Sequence, residues 1–340
     1  MTPSEDLDLH PVATDFSSVE PIPVIDIAPL LADDASVAAR SVARDIAEAC
    51  RSWGFFQVTG HGLDQQLVDN TWRHTRALFQ LPLADKLALQ RSEDNPWGFY
   101  NHELTKKQRD KKEIFDFTGP GRDAIYDRSN RWPEDLPGFQ PALAAWLDAC
   151  SALSGQLLAG FCLGLDLAPD YLQADCGDDH TGFMRLNRYP LEDPMAGTAI
   201  GREQAADLGI HHHSDAGALT ILLQDDVQGL QVYREGSWYD VPTISGALVV
   251  NTGDMMQVWS NDNYLAPVHR VREMKDRERH SIAFFFNPAA SCEVRPLASQ
   301  VDAQRPARYR PIHWGEYRSR RSEGDFADYG TAVQISQYRI

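Results

Sequence analysis

Two side chains that could bind a metal ion lie two residues apart in the segment GIHHHSDAGALTILLQ, which starts at Gly209. In an extended chain residues i and i+2 project to the same face, so the imidazole of His213 and the carboxylate of Asp215 can converge on one point. His211 has the same parity, but its spacing from Asp215 suits a helix, which the flanking glycine and β-branched residues disfavour. His212 is predicted to point to the other face. A lone pair of this kind is common by chance and also fits a solvated loop.

Two later segments add groups that extend this pair. His269 lies in the strand-like segment YLAPVHRVRE, and two imidazoles with one carboxylate form the facial triad that holds Fe(II) in non-haem oxygenases. Arg279 and Ser281 follow, and they share a face if the chain is extended. An arginine fork offers bidentate, charge-assisted hydrogen bonds to a carboxylate. The ordered set predicts a metal site beside a carboxylate clamp.

The elements that position these groups change in character along the chain. Apolar spacing typical of helices recurs over about 35–53, about 64–80 and 141–165. After about Gly182, short apolar runs are separated by Gly, Asp, Asn and Pro, which predicts an antiparallel sandwich or barrel, with a jelly roll the natural candidate. We therefore expect an α+β protein with a mainly β core, a double-stranded β-helix (jelly roll) flanked by helices. The predicted parts are a loose tail (1–20) and a single catalytic domain (21–340) with a helical part (about 21–178), a jelly-roll core (about 179–295) and a C-terminal helix and tail (about 296–340).

The composition limits the partners of this chain. Asp and Glu number 49 against 32 Lys and Arg, a formal net charge of −17 that repels phosphate backbones and anionic lipid headgroups. No apolar run approaches the roughly 20 residues that cross a bilayer. The five cysteines are scattered without a CxxC pair, and the first residues do not resemble a secretory signal. We expect a cytoplasmic protein with a small-molecule partner, no nucleic acid and no membrane; the oligomeric state stays open.

Most of the chain resembles the 2-oxoglutarate- and Fe(II)-dependent dioxygenases of the isopenicillin-N-synthase-like superfamily, which share a jelly-roll core. The matching segments are PVIDIAPL, GFFQVTGHG, KKEIFDF, NRWP, RLNRYP, HSDAGALTIL, NTGDMMQVWSN, APVHRV and RHSIAFFFNP. The resemblance implies Fe(II) as cofactor, with 2-oxoglutarate and O₂ as cosubstrates. It implies that the iron ligands are His213, Asp215 and His269. It further implies that Arg279 and Ser281 bind the distal carboxylate of 2-oxoglutarate, and that Tyr189 and Asn187 help to seat it.

The resemblance also implies a reaction. Oxidative decarboxylation of 2-oxoglutarate to succinate and CO₂ is coupled to hydroxylation, desaturation or cyclisation of a small metabolite, typical of secondary metabolism. No catalytic residue is expected beyond the metal ligands. Two alternatives stay open: an Fe(II)/O₂ oxidase of the isopenicillin-N-synthase type, which shares the RxS pair without using 2-oxoglutarate, and a non-catalytic jelly-roll protein that binds a metal or ligand. The N-x-Y-P form of residues 187–190 favours 2-oxoglutarate.

The substrate contacts are the least determined part of the sequence. Phe285 has the strand parity of Ser281 and is predicted to point toward the metal. The basic segment RSRR (318–321) is predicted to be a solvated helix face rather than an anion site. Aromatic candidates indicate an apolar or aromatic substrate, with core packing as the alternative for each ring. The predicted substrate-binding residues are Phe99, Tyr100, Phe117, Phe183 and Phe285, with His211 at the pocket mouth.

Overall fold

A computed structural model describes residues 7–13, 21–34, 36–105, 107–121, 124–203, 206–322 and 333–340. The helices are α1 (Ala28–Ala32), α2 (Val37–Ser52), α3 (Gln65–Gln80), α4 (Leu83–Ala88), α5 (Phe139–Gly164), α6 (Gln173–Cys176), α7 (Ala199–Glu203), α8 (Asp254–Trp259) and α9 (Trp314–Arg321). The strands are β1 (Val24–Asp26), β2 (Phe55–Thr59), β3 (Gly98–Tyr100), β4 (Leu104–Thr105), β5 (Gln108–Arg109), β6 (Glu113–Thr118), β7 (Phe183–Tyr189), β8 (Ile210–His213), β9 (Leu219–Gln224), β10 (Leu230–Arg234), β11 (Ser237–Asp240), β12 (Leu248–Thr252), β13 (His269–Val271), β14 (Arg279–Phe286), β15 (Glu293–Val294) and β16 (Ile312–His313).

The three predicted long helices form close to their expected bounds, and the starts of α2 and α3 are capped by side chains. The Ser36 side chain accepts a hydrogen bond from the Ala39 amide at the start of α2, and Asp64 does the same for Gln66 at the start of α3. Helix α5 is long and apolar enough to cross a membrane, contrary to the expectation that no such run exists. Its buried side chains belong to the main apolar core, and it packs against α2, α3 and the sheet. It is therefore the central helix of the core.

Two sheets form the predicted jelly roll, which is confirmed. The major sheet has eight strands in the order β1-β2-β12-β9-β14-β7-β6-β3, and the minor sheet has the order β11-β10-β13-β8. Neighbouring strands are antiparallel except for β1 and β2. Apolar side chains of both sheets form one cluster, so the sheets pack face to face. Strands β1, β2, β3 and β6 come from the part predicted to be helical, and they extend the major sheet beyond the predicted core.

Residues 7–13 differ from the predicted loose tail. The Trp238 indole Nε1 donates to the Leu7 carbonyl at 2.7 Å, and the Ala13 amide donates to the Trp238 carbonyl at 2.8 Å. Asp8 contacts Nδ1 of His212 at 2.8 Å, and its backbone carbonyl accepts from Arg270 at 2.7 Å. This segment is ordered because it supplies partners for polar groups on the minor sheet. The remaining residues of the predicted tail, 1–6 and 14–20, lie outside the described residues.

Candidate metal centre and adjoining cavities

Three potential metal ligands lie close together where the last residue of β8 is beside the first residue of β13. The antiparallel register pairs His213 with His269, and Asp215 follows directly after β8. The Nε2 atoms of His213 and His269 lie 3.8 and 3.7 Å from Oδ1 of Asp215. One ligand atom from each residue lies within 4.8 Å of the others. These residues, called the triad below, have the separations of groups that can share one metal ion.

Hydrogen bonds determine which nitrogen of each triad imidazole is available to bind a metal ion. Nδ1 of His213 donates to the His211 carbonyl at 2.8 Å, and Nδ1 of His269 donates to the Pro267 carbonyl at 3.1 Å. Because a carbonyl oxygen can only accept, each Nδ1 carries the hydrogen and each Nε2 keeps its lone pair. Burial, followed by the proximity of His269, holds the pKa of His213 well below its usual range, so this imidazole is neutral. Both rings therefore direct a metal-binding atom into the centre.

The carboxylate of Asp215 is oriented in the same way. Its Oδ2 accepts hydrogen bonds from Thr220 Oγ1 at 2.6 Å and from Asn251 Nδ2 at 2.7 Å. Burial opposes ionisation, but the two neighbouring imidazoles and these hydrogen bonds hold the pKa of Asp215 below its usual range. Oδ1 is left to face the imidazoles as an ionised ligand, which is the state that metal binding requires.

The four residues predicted to hold the cosubstrate lie on two paired strands. Arg279 is opposite Tyr189 and Ser281 is opposite Asn187 in the register of β14 and β7. All four line, together with the triad, a cavity of about 550 Å³ that we call the Arg279 cavity. The strand pairing explains this proximity, because alternate residues of neighbouring strands project to the same face.

Arg279 is fully buried, and among the described residues it makes no ion pair. Its Nη1 donates to Ser281 Oγ at 3.3 Å, its Nη2 donates to Gln224 Oε1 at 3.2 Å, and the guanidinium lies 5.1 Å from the centre of the Tyr189 ring. Its Nε has no hydrogen-bond partner, and no carboxylate lies within ion-pair distance among the described residues. A buried charge is costly unless it is paired. The donor set therefore fits an anionic ligand that occupies the cavity.

A second cavity, of about 620 Å³, is lined by His213 and Asp215 of the triad as well. We call it the Arg318 cavity. The side chains that line both cavities are Arg185, Ile210, His213, Asp215 and Phe285, so the metal centre lies at their junction. The residues that line only the Arg318 cavity are Thr105, Phe183, Ser214, Ala216, Gly217, Asn287, Trp314, Arg318 and Arg321. The arrangement therefore places two adjoining cavities at the triad.

Two of the predicted substrate-binding residues lie in the Arg318 cavity. Phe183 and Phe285 are opposite each other in the β7–β14 register and stack with ring centres 4.7 Å apart. Phe99 and Phe117 instead belong to the main core, at 0% and 1% exposure. Tyr100 packs beneath the guanidinium of Arg91. The prediction is corrected for these three residues, because apolar packing or a cation–π contact takes each ring away from the two cavities.

His211 does not lie at the mouth of a cavity, which is a second correction. It is buried, with Nδ1 2.9 Å from Asp110 and Nε2 3.1 Å from Asp207. Burial opposes protonation, yet the hydrogen bond and charge of Asp110 raise the pKa of His211. Two carboxylates therefore engage both ring nitrogens, and His212 is engaged by Asp8.

The residues that sequence reasoning missed lie on α9. Arg320 is exposed as predicted, but Arg318 and Arg321 line the Arg318 cavity. Arg321 is buried and donates to Asp254 Oδ2 at 3.0 Å and to the Ser214 carbonyl at 2.7 Å. A signal was present, because residues 314, 317, 318 and 321 have the i, i+3, i+4, i+7 spacing of one helix face. The basic character of the segment led instead to the prediction of a solvated helix face.

Comparison with known proteins identifies the family. A sequence model of the 2OG-Fe(II) oxygenase superfamily matches residues 180–288, and a model of the N-terminal part of the non-haem dioxygenase in morphine synthesis matches residues 22–135. The chain is 32% identical over 314 residues to jasmonate-induced oxygenase 2 of Arabidopsis thaliana, covering 91% of this chain and 82% of that protein. It is 30% identical over 336 residues to homoarginine-6-hydroxylase 2-ODD-C23 of Glycine max, covering 93% and 100%. The chain belongs to the 2OG-Fe(II) oxygenase superfamily.

Solved structures of oxygenases share the whole architecture. The crystal structure of JOX2 in complex with 2OG, Fe and JA has a TM-score of 0.79 and 30% identity, covering 98% of this chain and 91% of that one. The dioxygenase for auxin oxidation in rice has a TM-score of 0.72 and 26% identity, covering 94% and 100%. This chain is therefore a dioxygenase that uses Fe(II), 2-oxoglutarate and O₂ to oxidise a small molecule.

Proposed function

We propose that the triad binds Fe(II) and that Arg279 binds the distal carboxylate of 2-oxoglutarate in the cavity named after it. The observation that carries this proposal is the buried Arg279 guanidinium, which makes no ion pair among the described residues and lies in the same cavity as the three ligand atoms. Ser281 and Asn187 complete the polar lining, and the Tyr189 ring limits the orientation of the guanidinium. No carboxylate of the described residues lies within ion-pair distance of Arg279, which disfavours the alternative of a structural ion pair.

Each residue then has a defined task in the dioxygenase reaction. The bound iron supplies the activation of O₂ that couples decarboxylation of 2-oxoglutarate to succinate and CO₂ with oxidation of the substrate. Three protein ligands leave coordination positions open, as a facial triad does. Arg279 orients the cosubstrate through its distal end, and the apolar walls exclude water from the reacting atoms. Thr220 and Asn251 keep Asp215 in its ligating orientation.

We further propose that the substrate occupies the Arg318 cavity and has an apolar or aromatic part. The stacked rings of Phe183 and Phe285 support this assignment, because they provide a flat apolar wall next to the triad. Hydroxylation, desaturation and cyclisation are all compatible with such a wall. A role in secondary metabolism, a cytoplasmic location and the absence of nucleic-acid and membrane partners stay predictions based on the sequence.

Anaerobic titration followed by turnover tests the proposal. We expect 2-oxoglutarate to bind the Fe(II)-loaded enzyme and O₂ uptake to depend on it, with succinate as product. Oxygen uptake that proceeds at full rate without 2-oxoglutarate would support the isopenicillin-N-synthase type of oxidase and overturn the assignment of Arg279. Tight Fe(II) binding without any response to 2-oxoglutarate would instead support a non-catalytic binding protein.

A further inference from the structure

Three guanidinium groups line the Arg318 cavity, and two of them are neutralised by buried acids. Arg185 donates to both oxygens of Asp116 at 2.8 and 2.7 Å and to both oxygens of Glu103 at 2.9 and 3.0 Å. Arg321 donates to Asp254 at 3.0 Å. Such bidentate and buried pairs are fixed in place, and their charges are compensated within the protein. They shape the cavity wall but do not leave a net positive charge in it.

Arg318 has a different environment. Its guanidinium lies 4.6 Å from the centre of the Phe183 ring, and no carboxylate of the described residues lies within ion-pair distance of it. The side chain is partly buried and lines the cavity rather than projecting from the outer face of α9, as Arg320 does.

Two stacked aromatic rings lie between the Arg318 guanidinium and the triad. Phe285 lines both cavities and so lies at the junction with the triad, whereas Phe183 lines only the Arg318 cavity. The two rings are stacked with an angle of 22° between their planes, and Arg318 lies over Phe183. From the junction outward the wall is therefore first apolar and flat and then positively charged.

We propose that the substrate is a small carboxylic acid whose carboxylate binds Arg318 and whose apolar body lies along Phe183 and Phe285. The proposal rests on the function proposed above and names the substrate class of that same cavity. One guanidinium without an ion pair among the described residues matches the single negative charge of a carboxylate, whereas the dianion of a phosphate monoester needs further positive charge. With the carboxylate held at α9, the carbon that is oxidised lies at the opposite end of the molecule, next to the triad.

Binding to the complete enzyme tests this proposal. The enzyme is loaded anaerobically with Fe(II) and 2-oxoglutarate and titrated calorimetrically with phenylacetate, 3-phenylpropanoate and 4-phenylbutanoate, and with the carboxamide of each. We expect the best acid to bind at least about 10-fold tighter than its neutral amide, because a charge-assisted hydrogen bond is stronger than a neutral one. Arg318→Gln is expected to weaken acid binding by about 10- to 100-fold and to leave amide binding unchanged.

Arg320→Gln is the matched control, since it removes the same charge from the exposed face of the same helix. It should leave acid binding unchanged, and Arg318→Lys should restore part of it. Equal binding of acids and amides, no binding of any acid, tighter binding of phenyl phosphate, or an Arg318→Gln variant with unchanged acid affinity would each overturn the proposal. Binding of 2-oxoglutarate is measured in the same samples. If 2-oxoglutarate does not bind, the proposed function is wrong as well. If 2-oxoglutarate binds while acids and amides bind equally well, only the proposed substrate class is wrong.

Discussion

Three identical side chains in β8 have three different environments. His211 is held by Asp110 and Asp207, His212 contacts Asp8, and His213 directs Nε2 toward Asp215. The two-residue step to the aspartate predicts the last of them as the ligand, and the structure places that residue close to Asp215 and His269. The acids that occupy the first two could not be predicted, because they come from distant parts of the chain. Local spacing predicts which histidine is a ligand, but the environments of the neighbouring histidines depend on acidic residues that are distant in the sequence.

Replacement of single histidines checks this division of roles. We expect His213→Ala to weaken Fe(II) binding by more than about 100-fold, since even loss of a residue behind a metal ligand costs 10- to 100-fold. His212→Ala should retain one iron per chain, because its ring faces Asp8 rather than the centre. Anaerobic titration with elemental analysis of iron measures both. Equal iron loss in the two variants would contradict the assignment of His213.

The buried arginine of the cosubstrate cavity gives a second test at this scale. Arg279→Gln should raise the KM for 2-oxoglutarate by about 10- to 100-fold while iron content stays unchanged, because a charge-assisted contact is lost without any change to the triad. Arg277→Gln is the control, as that residue is exposed and pairs with Asp226. Succinate release measures the effect. An unchanged KM would show that the distal carboxylate binds elsewhere.

Helix α9 connects the C-terminal part of the chain to the metal centre. Arg321 and Tyr317 both reach Asp254, and Arg321 also holds the backbone carbonyl of Ser214, which lies between two members of the triad. Burial raises the pKa of Asp254, and the charge of Arg321 with the hydrogen bonds from Ser214 and Tyr317 offsets only part of this effect. The contacts tie the outer helix to the turn that carries Asp215.

Removal of this link should affect stability and metal binding together. Arg321→Gln leaves Asp254 buried without its cation, and loss of one partner from a buried pair costs about 3 kcal/mol of unfolding free energy. Iron affinity should also fall, since the Ser214 carbonyl loses its donor. Denaturant unfolding and Fe(II) titration measure the two effects, with Arg320→Gln as control. A stable variant with full iron affinity would show that α9 does not position the turn.

A second link ties the C-terminal segment to the turn after α8. Asp262 accepts hydrogen bonds from Tyr309, Arg308 and Arg339, and although burial opposes ionisation, these partners lower the pKa of Asp262 to about 2. The folded pKa lies below that of the unfolded chain. The associated stability is therefore present above about pH 4 and is lost as the pH falls toward about 2.

Asp262→Asn should remove this part of the acid dependence. We expect the variant to be about 1 kcal/mol less stable than the parent at pH 7, a value reduced for solvent screening because Arg308 and Arg339 are largely exposed. The difference should shrink between pH 4 and pH 2. Urea unfolding at a series of pH values measures it. A difference that stays constant down to pH 2 would contradict the role of the charge.

At the scale of the whole molecule, the sequence predicted the fold where periodicity was strong. Helices α2 and α5 begin and end within about two residues of their predicted bounds, and the β core follows the predicted strands. The sequence did not show that β1 and β2 join the major sheet, nor that residues 7–13 cover Trp238. These features depend on contacts between distant segments, which leave no local pattern. The buried charges of Arg185 and Glu103 were missed for the same reason.

We expect the net charge to affect the rate at which the cosubstrate is captured. A chain of charge −17 repels the 2-oxoglutarate dianion at long range, and added salt screens that repulsion. Raising KCl from about 10 to about 150 mM shortens the Debye length from roughly 30 to 8 Å. We expect kcat/KM for 2-oxoglutarate to rise about two- to fivefold over this range. A fall would show that the local attraction of Arg279 extends beyond the cavity and outweighs the net charge.

The spacing of α9 has a consequence for how this enzyme can change during evolution. Tyr317 and Arg321 are one helical turn apart and engage Asp254, whereas among the described residues Arg318 contacts the Phe183 ring and lines the cavity. One position of the helix can therefore mutate while its neighbours keep the metal-binding turn in place. A library randomised at position 318 alone should yield folded, iron-loaded enzymes with altered substrate preference, which makes this helix a natural starting point for directed evolution.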